Sequence, residues 1–214
     1  MISTKRLLLK LALSVAAVSP LAALAADASA PDQLIRQLSI ETLEAVKGDK
    51  AIQGGDVNKI MQLVDTKVMP HVDFQRITSS AVGRFWRQAS PEQKQRLQDE
   101  FKTLLVRTYA GALTQVRDQT IALKPLRAAA EDTEVVVKTE IRGPGRDPIQ
   151  LDYRLEKTDG GWKIYDVNVL GIWLADQYRN SFAQEINANG IDGLIKALAE
   201  RNAAKPAASA PKKG

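Results

Sequence analysis

The apolar residues of this chain change their spacing only twice, and this pattern limits the fold more than any single motif. Residues 31–118 show the period of helices, residues 119–170 show the alternation of strands, and residues 171–202 return to the helical period. Strands gathered in one run, instead of alternating with helices, favour an antiparallel sheet. The sequence therefore predicts an α+β fold, with the helices packed on one face of a curved, four-stranded antiparallel meander.

Two of the predicted strands alternate clearly enough to assign their faces. Apolar side chains or Thr occupy every second position of Val135–Ile141 and of Ile149–Leu155, and most of the residues between them are charged or polar. One face of the sheet is therefore expected to be buried and the other to be wet. The predicted strands Ile121–Leu126 and Trp162–Val169 complete the meander.

The helical half contains local signals for where helices begin and end. Ser90 and Gln93 have the spacing of a capping box, with a proline at the first helical position between them. An apolar stripe from Leu97 to Val116 follows, so a long helix is expected to lie across the sheet as the main lid of the core. Shorter helices are predicted over 31–48 and 57–68.

The two ends of the chain differ in composition from its body. Basic residues at the N-terminus overlap an apolar run from Leu7 to Val18, and small residues suited to cleavage end at Ala25. This pattern predicts a secretory signal peptide over 1–25. Residues 203–214 are rich in Ala, Pro and Lys, which is typical of a disordered tail. A single domain is expected over 26–202.

Charge and cysteine content exclude several classes of function. The formal charge is +5, but three of the 30 basic residues and none of the 25 acidic ones lie in the signal segment, so the mature chain is close to neutral. No concentrated basic patch is visible, which argues against nucleic acid as a partner. The chain has no cysteine, so disulfides, thiol catalysis and thiolate metal sites are excluded.

Catalytic and metal-binding patterns are weak. The only histidine, His71, precedes Asp73 by two residues, but no nucleophile motif accompanies the pair. Asp73 is better interpreted as the cap of the next helix. One histidine leaves a metal without its usual nitrogen ligands, so no metal and no cofactor are expected. The adjacent carboxylates Asp99-Glu100 and Glu131-Asp132 are interpreted as solvated surface.

An apolar and aromatic stripe runs from Phe85-Trp86 through Tyr109 to Tyr153. Such a stripe either packs into the core or lines a cavity between helices and sheet, and the residues alone leave both open. Three arginines are candidates for the rim of such a cavity, where guanidinium groups would pair with phosphate: Arg107, Arg154 and Arg179. The alternative is that each of the three is an ordinary surface arginine with no role in binding.

Several blocks of sequence coincide, in order and spacing, with one family. They are Val68–Asp73, Val82–Gln93, Thr108–Leu113, Pro148–Leu155, Gly161–Val167, Tyr178–Phe182 and Gly190–Leu194. Together they resemble the MlaC family, also called the toluene-tolerance family, over roughly 31–202. That resemblance implies a periplasmic phospholipid-binding protein with an apolar cavity between its helices and its sheet. It also implies no enzymatic activity, with the bound phospholipid as cargo.

The resemblance further implies partners and a site. The partners would be the inner-membrane MlaFEDB complex, through MlaD, and the outer-membrane MlaA with a porin. Arg107, Arg154 and Arg179 would then lie near the head group. The acyl chains are expected to contact Phe85, Phe101, Leu105, Tyr109, Leu113, Val137, Leu151, Tyr153, Val167, Val169, Trp173 and Tyr178.

One stretch departs from the family pattern. Where members usually read Glu-Gly-Val-Ser, this chain reads Leu170-Gly171-Ile172-Trp173, and Trp173 cannot cap the following helix as a serine would. Val116 also replaces an aromatic residue often found near the end of the long helix. Two other functions stay open: an envelope adaptor with a filled core and no lipid, and a cavity enzyme of the nuclear-transport-factor-2-like (NTF2-like) kind.

Overall fold

A computed structural model describes residues 30–129, 131–145 and 147–204. The predicted signal peptide over 1–25 lies outside these residues, as does the predicted tail beyond residue 204. The helices are α1 (Pro31–Gly48), α2 (Lys50–Gln53), α3 (Val57–Leu63), α4 (Phe74–Val82), α5 (Pro91–Leu113) and α6 (Leu174–Ala203). The strands are β1 (Thr120–Leu123), β2 (Glu134–Arg142), β3 (Ile149–Thr158), β4 (Gly161–Val169) and β5 (Ile172–Trp173).

Short irregular helices link α3 to α4 and α4 to α5. A π-helical segment, Val64–Val68, continues α3, and 3₁₀ segments follow at Met69–His71 and Gly83–Gln88. Two of the predicted N-terminal helix caps are confirmed. Ser90 and Gln93 form the reciprocal capping box of α5, and the Asp73 carboxylate accepts the Arg76 N–H at 2.8 Å at the start of α4.

The sheet confirms the α+β prediction but has one more strand than expected. Within the described residues its order is β1-β2-β3-β4-β5, and each neighbouring pair is antiparallel. The extra strand forms because Leu170 and Gly171 both have positive φ, 53° and 92°. Such a two-residue turn reverses the chain sharply and pairs Val169 with Ile172.

The two faces of the sheet differ, as the alternation predicts. The inner face carries Val135, Val137 and Thr139 of β2, all buried, and packs toward the helices. On β4 a bulge at Tyr165 shifts the register, so that Ile164 pairs with Leu155 while Asp166 pairs with Arg154. Without that bulge every later residue of β4 would point to the opposite face.

The prediction that the outer face is wet is wrong for part of it. Asp152, Asp166 and Asn168 are outer-face residues, and all three are buried. They are covered because the Arg154 guanidinium lies against Asp166 and β5 brings Trp173 beside Asn168.

The helices cover the sheet in a different way from the prediction. α1, not α5, lies on β1 and β2, and α6 packs against β4 and β5. The main contacts of α5 are with α3, α4 and α6. The apolar stripe of α5 is therefore buried mostly by other helices, and the expectation that α5 is the main lid directly on the sheet is wrong.

The apolar interior of the described residues is divided into three packed clusters. The helical cluster joins α4, α5 and α6 around Phe101. The corner cluster joins α1, α2, α3 and the C-terminal half of α5 around Val106. The sheet cluster joins Ile35 and Leu38 of α1 to the inner face. Val72 is half-buried and packs against both the helical and the sheet cluster, so these two clusters are joined through partly buried side chains.

α6 is kinked at Gly190, whose φ of 73° and ψ of −180° are open essentially to glycine alone. We expect Gly190→Ala to lower the free energy of unfolding by about 1–3 kcal/mol, measured by urea denaturation. Gly111→Ala is the matched control, because Gly111 lies in α5 with open space around its Cα. The Gly111→Ala change should raise the free energy of unfolding by about 0.5–1 kcal/mol. A shift of equal sign in both variants would contradict the prediction.

Candidate functional site

The candidate site is the part of the inner face of the sheet nearest the C-terminal end of α5, which we call the inner cleft. Tyr109 of α5 and the cross-strand pair Leu151–Val169 are half-buried. Within the described ranges, these three side chains lie outside the helical, corner and sheet clusters. Their shared apolar character and incomplete packing make this region suited to an apolar ligand.

Connectivity places these residues at the same end of the fold. The chain leaves α5 at Leu113 and enters β1 at Thr120, which pairs with Arg142 at the C-terminal end of β2. The N-terminal end of β3 and the C-terminal end of β4 meet at that same edge. The chain therefore brings the C-terminal end of α5 to the edge of the sheet at which Leu151 and Val169 lie.

The strand residues predicted to contact acyl chains come together in two rows on the inner face. Val137, Tyr153 and Val167 form one row, and Leu151 and Val169 form the next. Val137 is fully buried within the sheet cluster, whereas the others are half-buried.

The helix residues predicted for the same role are divided among different environments. Phe101 and Tyr178 lie in the packed helical cluster with ring centroids 5.0 Å apart. Phe85 and Leu105 pack against the edge of that cluster, and Leu113 packs against the corner cluster. Trp173 lies on the outer face, because it pairs with Asn168 across β4 and β5.

Two tyrosines bring hydroxyl groups to the cleft. Burial raises the pKa of Tyr153, although hydrogen bonds with Ser39 of α1 and Thr139 of β2 act in the opposite direction. Thr139 in turn donates its hydroxyl hydrogen to the Leu151 carbonyl at 2.6 Å. Burial also raises the pKa of Tyr109, with a smaller contribution from Tyr178. Both tyrosines therefore stay neutral at physiological pH.

The three arginines predicted near a head group do not converge. Arg107 donates to the Ala204 carbonyl at 2.9 Å. Arg179 donates to the Ser80 carbonyl at 3.1 Å and pairs with Asp176 at 3.0 Å. Arg154 lies on the outer face, where it pairs with Asp166 at 3.2 Å and stacks on the Trp173 ring at 3.8 Å. Each has a structural partner within the chain.

The Asp166 side chain caps the start of α6, where Trp173 does not, and the sequence did not predict this role. Trp173 is the N-cap residue of α6 and makes no side-chain capping hydrogen bond. Asp166 of β4 instead accepts the backbone N–H of Ala175, in the first turn of α6, at 3.3 Å, and also that of Val167 at 2.9 Å. The only signal in the sequence was that Asp166 is the single acidic residue of β4.

The charge state of Asp166 should be visible in the pH dependence of stability. Burial raises its pKa above the ordinary 3.8, although its two N–H donors and Arg154 act in the opposite direction. Since the folded pKa exceeds the unfolded one, ionisation disfavours the folded state as pH rises through that interval. The unfolding free energy of wild type minus that of Asp166→Asn should therefore fall as pH increases from below 3.8, as measured by urea denaturation at several pH values.

Glu140→Gln provides the contrasting control. Hydrogen bonds from Lys124 and Arg142 lower the pKa of Glu140 below its ordinary 4.5, so its ionisation favours folding. The unfolding free energy of wild type minus that of Glu140→Gln should therefore rise as pH increases through the range below 4.5. Equal signs for the two differences would contradict the environment described for Asp166.

Other features of the described residues do not suggest chemistry. No group of three or more His, Asp or Glu side chains among them is placed to hold a metal ion. A groove of about 730 Å³ crosses the outer face beside Val136 and Tyr165, and a smaller cavity of about 460 Å³ lies beside Asp73 and Phe74.

Among the helices of the described ranges, none has both the length and the apolar content needed to cross a bilayer.

Comparison with known proteins agrees with this architecture. A solved structure of the phospholipid-binding protein from Ralstonia solanacearum, in complex with a phospholipid, superposes with a TM-score of 0.79 and is 49% identical. The match covers 82% of this chain and 98% of that one. The toluene tolerance protein ttg2D of Pseudomonas putida is 29% identical over 166 residues, 77% of each chain.

A second curated relative is the intermembrane phospholipid transport system binding protein MlaC of Haemophilus influenzae. It is 23% identical over 181 residues, which are 83% of this chain and 84% of that protein. The family model described as MlaC protein matches residues 36–200, which span α1 to the last turn of α6. Because that match covers most of the described fold, this chain belongs to the MlaC family.

Proposed function

We propose that this protein is a periplasmic phospholipid carrier that holds acyl chains in the inner cleft and moves lipid between the two membranes of a Gram-negative envelope. The observation that carries the proposal is the division of the interior into three clusters, with Tyr109, Leu151 and Val169 outside all of them. A protein with 49% identity to this chain is a phospholipid-binding protein solved with its lipid.

The energetics of the cargo require such an enclosure. Burying a methylene group is worth about 0.8 kcal/mol, so two acyl chains with about fourteen buried methylenes each avoid about 22 kcal/mol of exposure to water. A carrier must offset nearly all of that cost and still release the lipid. Release should therefore involve contact with an acceptor that takes the chains directly.

The cleft is proposed to bind and not to react. The ionisable side chains described there are Tyr109 and Tyr153, and burial keeps both neutral. A neutral phenol is a poor nucleophile and a poor base at neutral pH, so the cargo should leave the cleft chemically intact.

Membership of the family supports a proposal for the route and the partners. The predicted signal peptide over 1–25 would deliver the chain to the periplasm. There it would receive or deliver lipid through MlaD of the inner-membrane MlaFEDB complex and through outer-membrane MlaA with its porin. These assignments are part of the proposal.

Mass spectrometry of the purified protein tests the proposal. We expect native spectra to show a complex with phospholipid, and lipid extraction to recover that phospholipid with both acyl chains in place. A well-folded preparation without lipid would contradict the carrier function. Recovery of lysophospholipid and free fatty acid at the expense of intact lipid would instead indicate an enzyme.

A further inference from the structure

The four tyrosines of this chain divide into two pairs by the use of their hydroxyl groups. Tyr153 has hydrogen-bond partners on α1 and β2, and Tyr165 donates to a glutamate of β2 at 3.2 Å. The hydroxyl groups of Tyr109 and Tyr178 make no hydrogen bond within the described part of the chain. Polar groups that are buried in folded proteins almost always have a partner, so this second pair is a candidate for binding a ligand.

The Tyr178 side chain is buried, but its hydroxyl oxygen is accessible. The residue is only 6% exposed, and its ring centroid lies 5.0 Å and 5.5 Å from those of Phe101 and Phe182. Among the described residues, the enclosed side-chain atoms that lack a hydrogen bond belong to Asp152 and Asn202, and not to Tyr178. The small exposed part of Tyr178 therefore includes its hydroxyl oxygen, at the surface of the helical cluster.

Tyr109 and Tyr178 lie close enough to affect each other electrostatically. Tyr109 is half-buried near the C-terminal end of α5, and Tyr178 lies one turn into α6, which packs against α5. Burial raises the pKa of Tyr109, and the neighbouring Tyr178 contributes in the same direction. The pair therefore offers two O–H donors from adjacent helices beside the inner cleft.

The partner of such a pair is expected to be an uncharged acceptor. A phosphate oxygen is matched better by a cation, and Arg107 and Arg179 already donate to backbone carbonyls at 2.9 Å and 3.1 Å. In a phospholipid, the uncharged acceptors nearest to the acyl chains are the two ester carbonyls. A carbonyl that leaves water together with the chains costs free energy unless it accepts a hydrogen bond.

We propose that the Tyr109 and Tyr178 hydroxyl groups donate hydrogen bonds to the ester carbonyls of the bound phospholipid. This inference rests on the proposed carrier function and adds the part of the lipid that the protein recognises. The site then selects lipids by the linkage of their chains. It favours ester-linked acyl chains over ether-linked alkyl chains, because an ether linkage has no carbonyl oxygen to accept the two hydrogen bonds.

A competition between two lipids tests the inference. The full chain is exchanged in mild detergent against an equimolar mixture of phosphatidylcholine with ester-linked oleoyl chains and its analogue with ether-linked oleyl chains. Mass spectrometry then quantifies the lipid recovered with the protein. We expect wild type to prefer the ester lipid about tenfold, Tyr109→Phe and Tyr178→Phe to prefer it about threefold, and the double variant to show no preference. Each change removes one oxygen and keeps the ring, so the fold is preserved.

Tyr165→Phe is the matched control. It removes the same oxygen from a tyrosine whose hydroxyl group donates to Glu134 on the outer face, away from the inner cleft. This variant should keep the wild-type preference for the ester lipid. Loss of the preference in Tyr165→Phe would show that it does not depend on the pair at the cleft, and would overturn the inference.

The possible outcomes distinguish the two proposals. A wild-type protein that holds both lipids without preference would overturn the recognition of ester carbonyls while leaving the carrier function intact. Equal weakening of both lipids in Tyr109→Phe and Tyr178→Phe would also overturn it, because it would assign the hydroxyl groups to the phosphate that the two lipids share. Recovery of neither lipid with the wild-type protein would contradict the carrier function itself.

Discussion

Tryptophan in place of Val169 is expected to weaken phospholipid binding about a hundredfold. Val169 lies on the inner face beside Leu151, half-buried and outside the three packed clusters. An indole there would displace about four methylenes of an acyl chain, worth about 3 kcal/mol. The measurement is the amount of phospholipid retained per protein after equilibration with empty vesicles, determined by mass spectrometry.

Val136→Trp is the matched control for this prediction. Val136 has the same side chain on β2, two strands away from β4 in the sheet, but it is exposed on the outer face, opposite Arg154. Tryptophan at that position should leave lipid retention unchanged. Equal loss in both variants, or no loss in Val169→Trp, would show that the inner face does not contact the cargo. Leu113 is a poorer position for a blocking side chain, because it packs against the corner cluster.

Phe101→Ala is expected to cause the largest loss of stability, about 3–5 kcal/mol in the free energy of unfolding. The Phe101 side chain is 0% exposed, and its ring centroid lies 5.9 Å, 5.0 Å and 5.2 Å from those of Phe74, Tyr178 and Phe182. Removing the ring deletes these contacts and leaves a cavity between three helices. Chemical denaturation monitored by circular dichroism measures the change.

Two comparisons locate the role of Phe101. Phe85→Ala should cost less, since Phe85 is half-buried at the edge of the same cluster. Folded Phe101→Ala protein, examined well below its unfolding temperature, should keep its phospholipid, because the ring lies in the packed helical cluster. Loss of lipid without loss of stability would reverse this assignment and make Phe101 a residue of the cleft wall.

Local signals in the sequence predicted the local structure well. The capping box of Ser90 and Gln93, the Asp73 cap and the alternation of β2 all appear as expected. Each is encoded by residues within a few positions of one another, so the pattern is visible in the sequence without knowledge of the tertiary structure. The turn at Leu170-Gly171 could not be predicted from local signals. Leucine disfavours positive φ, and the short strand β5 that follows the turn forms only by pairing with β4.

Long-range contacts could not be predicted in the same way. Asp166 caps α6 because the bulge at Tyr165 turns its carboxylate to the face where that helix begins. Arg154 and Trp173 meet on the outer face for the same reason, although Trp173 was expected to contact the acyl chains and Arg154 to lie near the head group. A shift of one residue in register decides these contacts, and that shift depends on how two strands pair.

The sequence by itself determined the α+β class, the order of the main helices and strands and which residues of β2 and β3 face inward, because periodicity and caps are properties of neighbouring residues. It could not determine whether the inward apolar surfaces meet. That depends on the separation of α5 from the sheet, which is set by the packing of α5 on α3, α4 and α6 and of α1 on β1 and β2. Apolar side chains such as Tyr109 and Val169 look the same in sequence whether they fill a core or line a cleft. Only the tertiary structure separates them, because burial is decided by the distance between elements and not by the side chain itself.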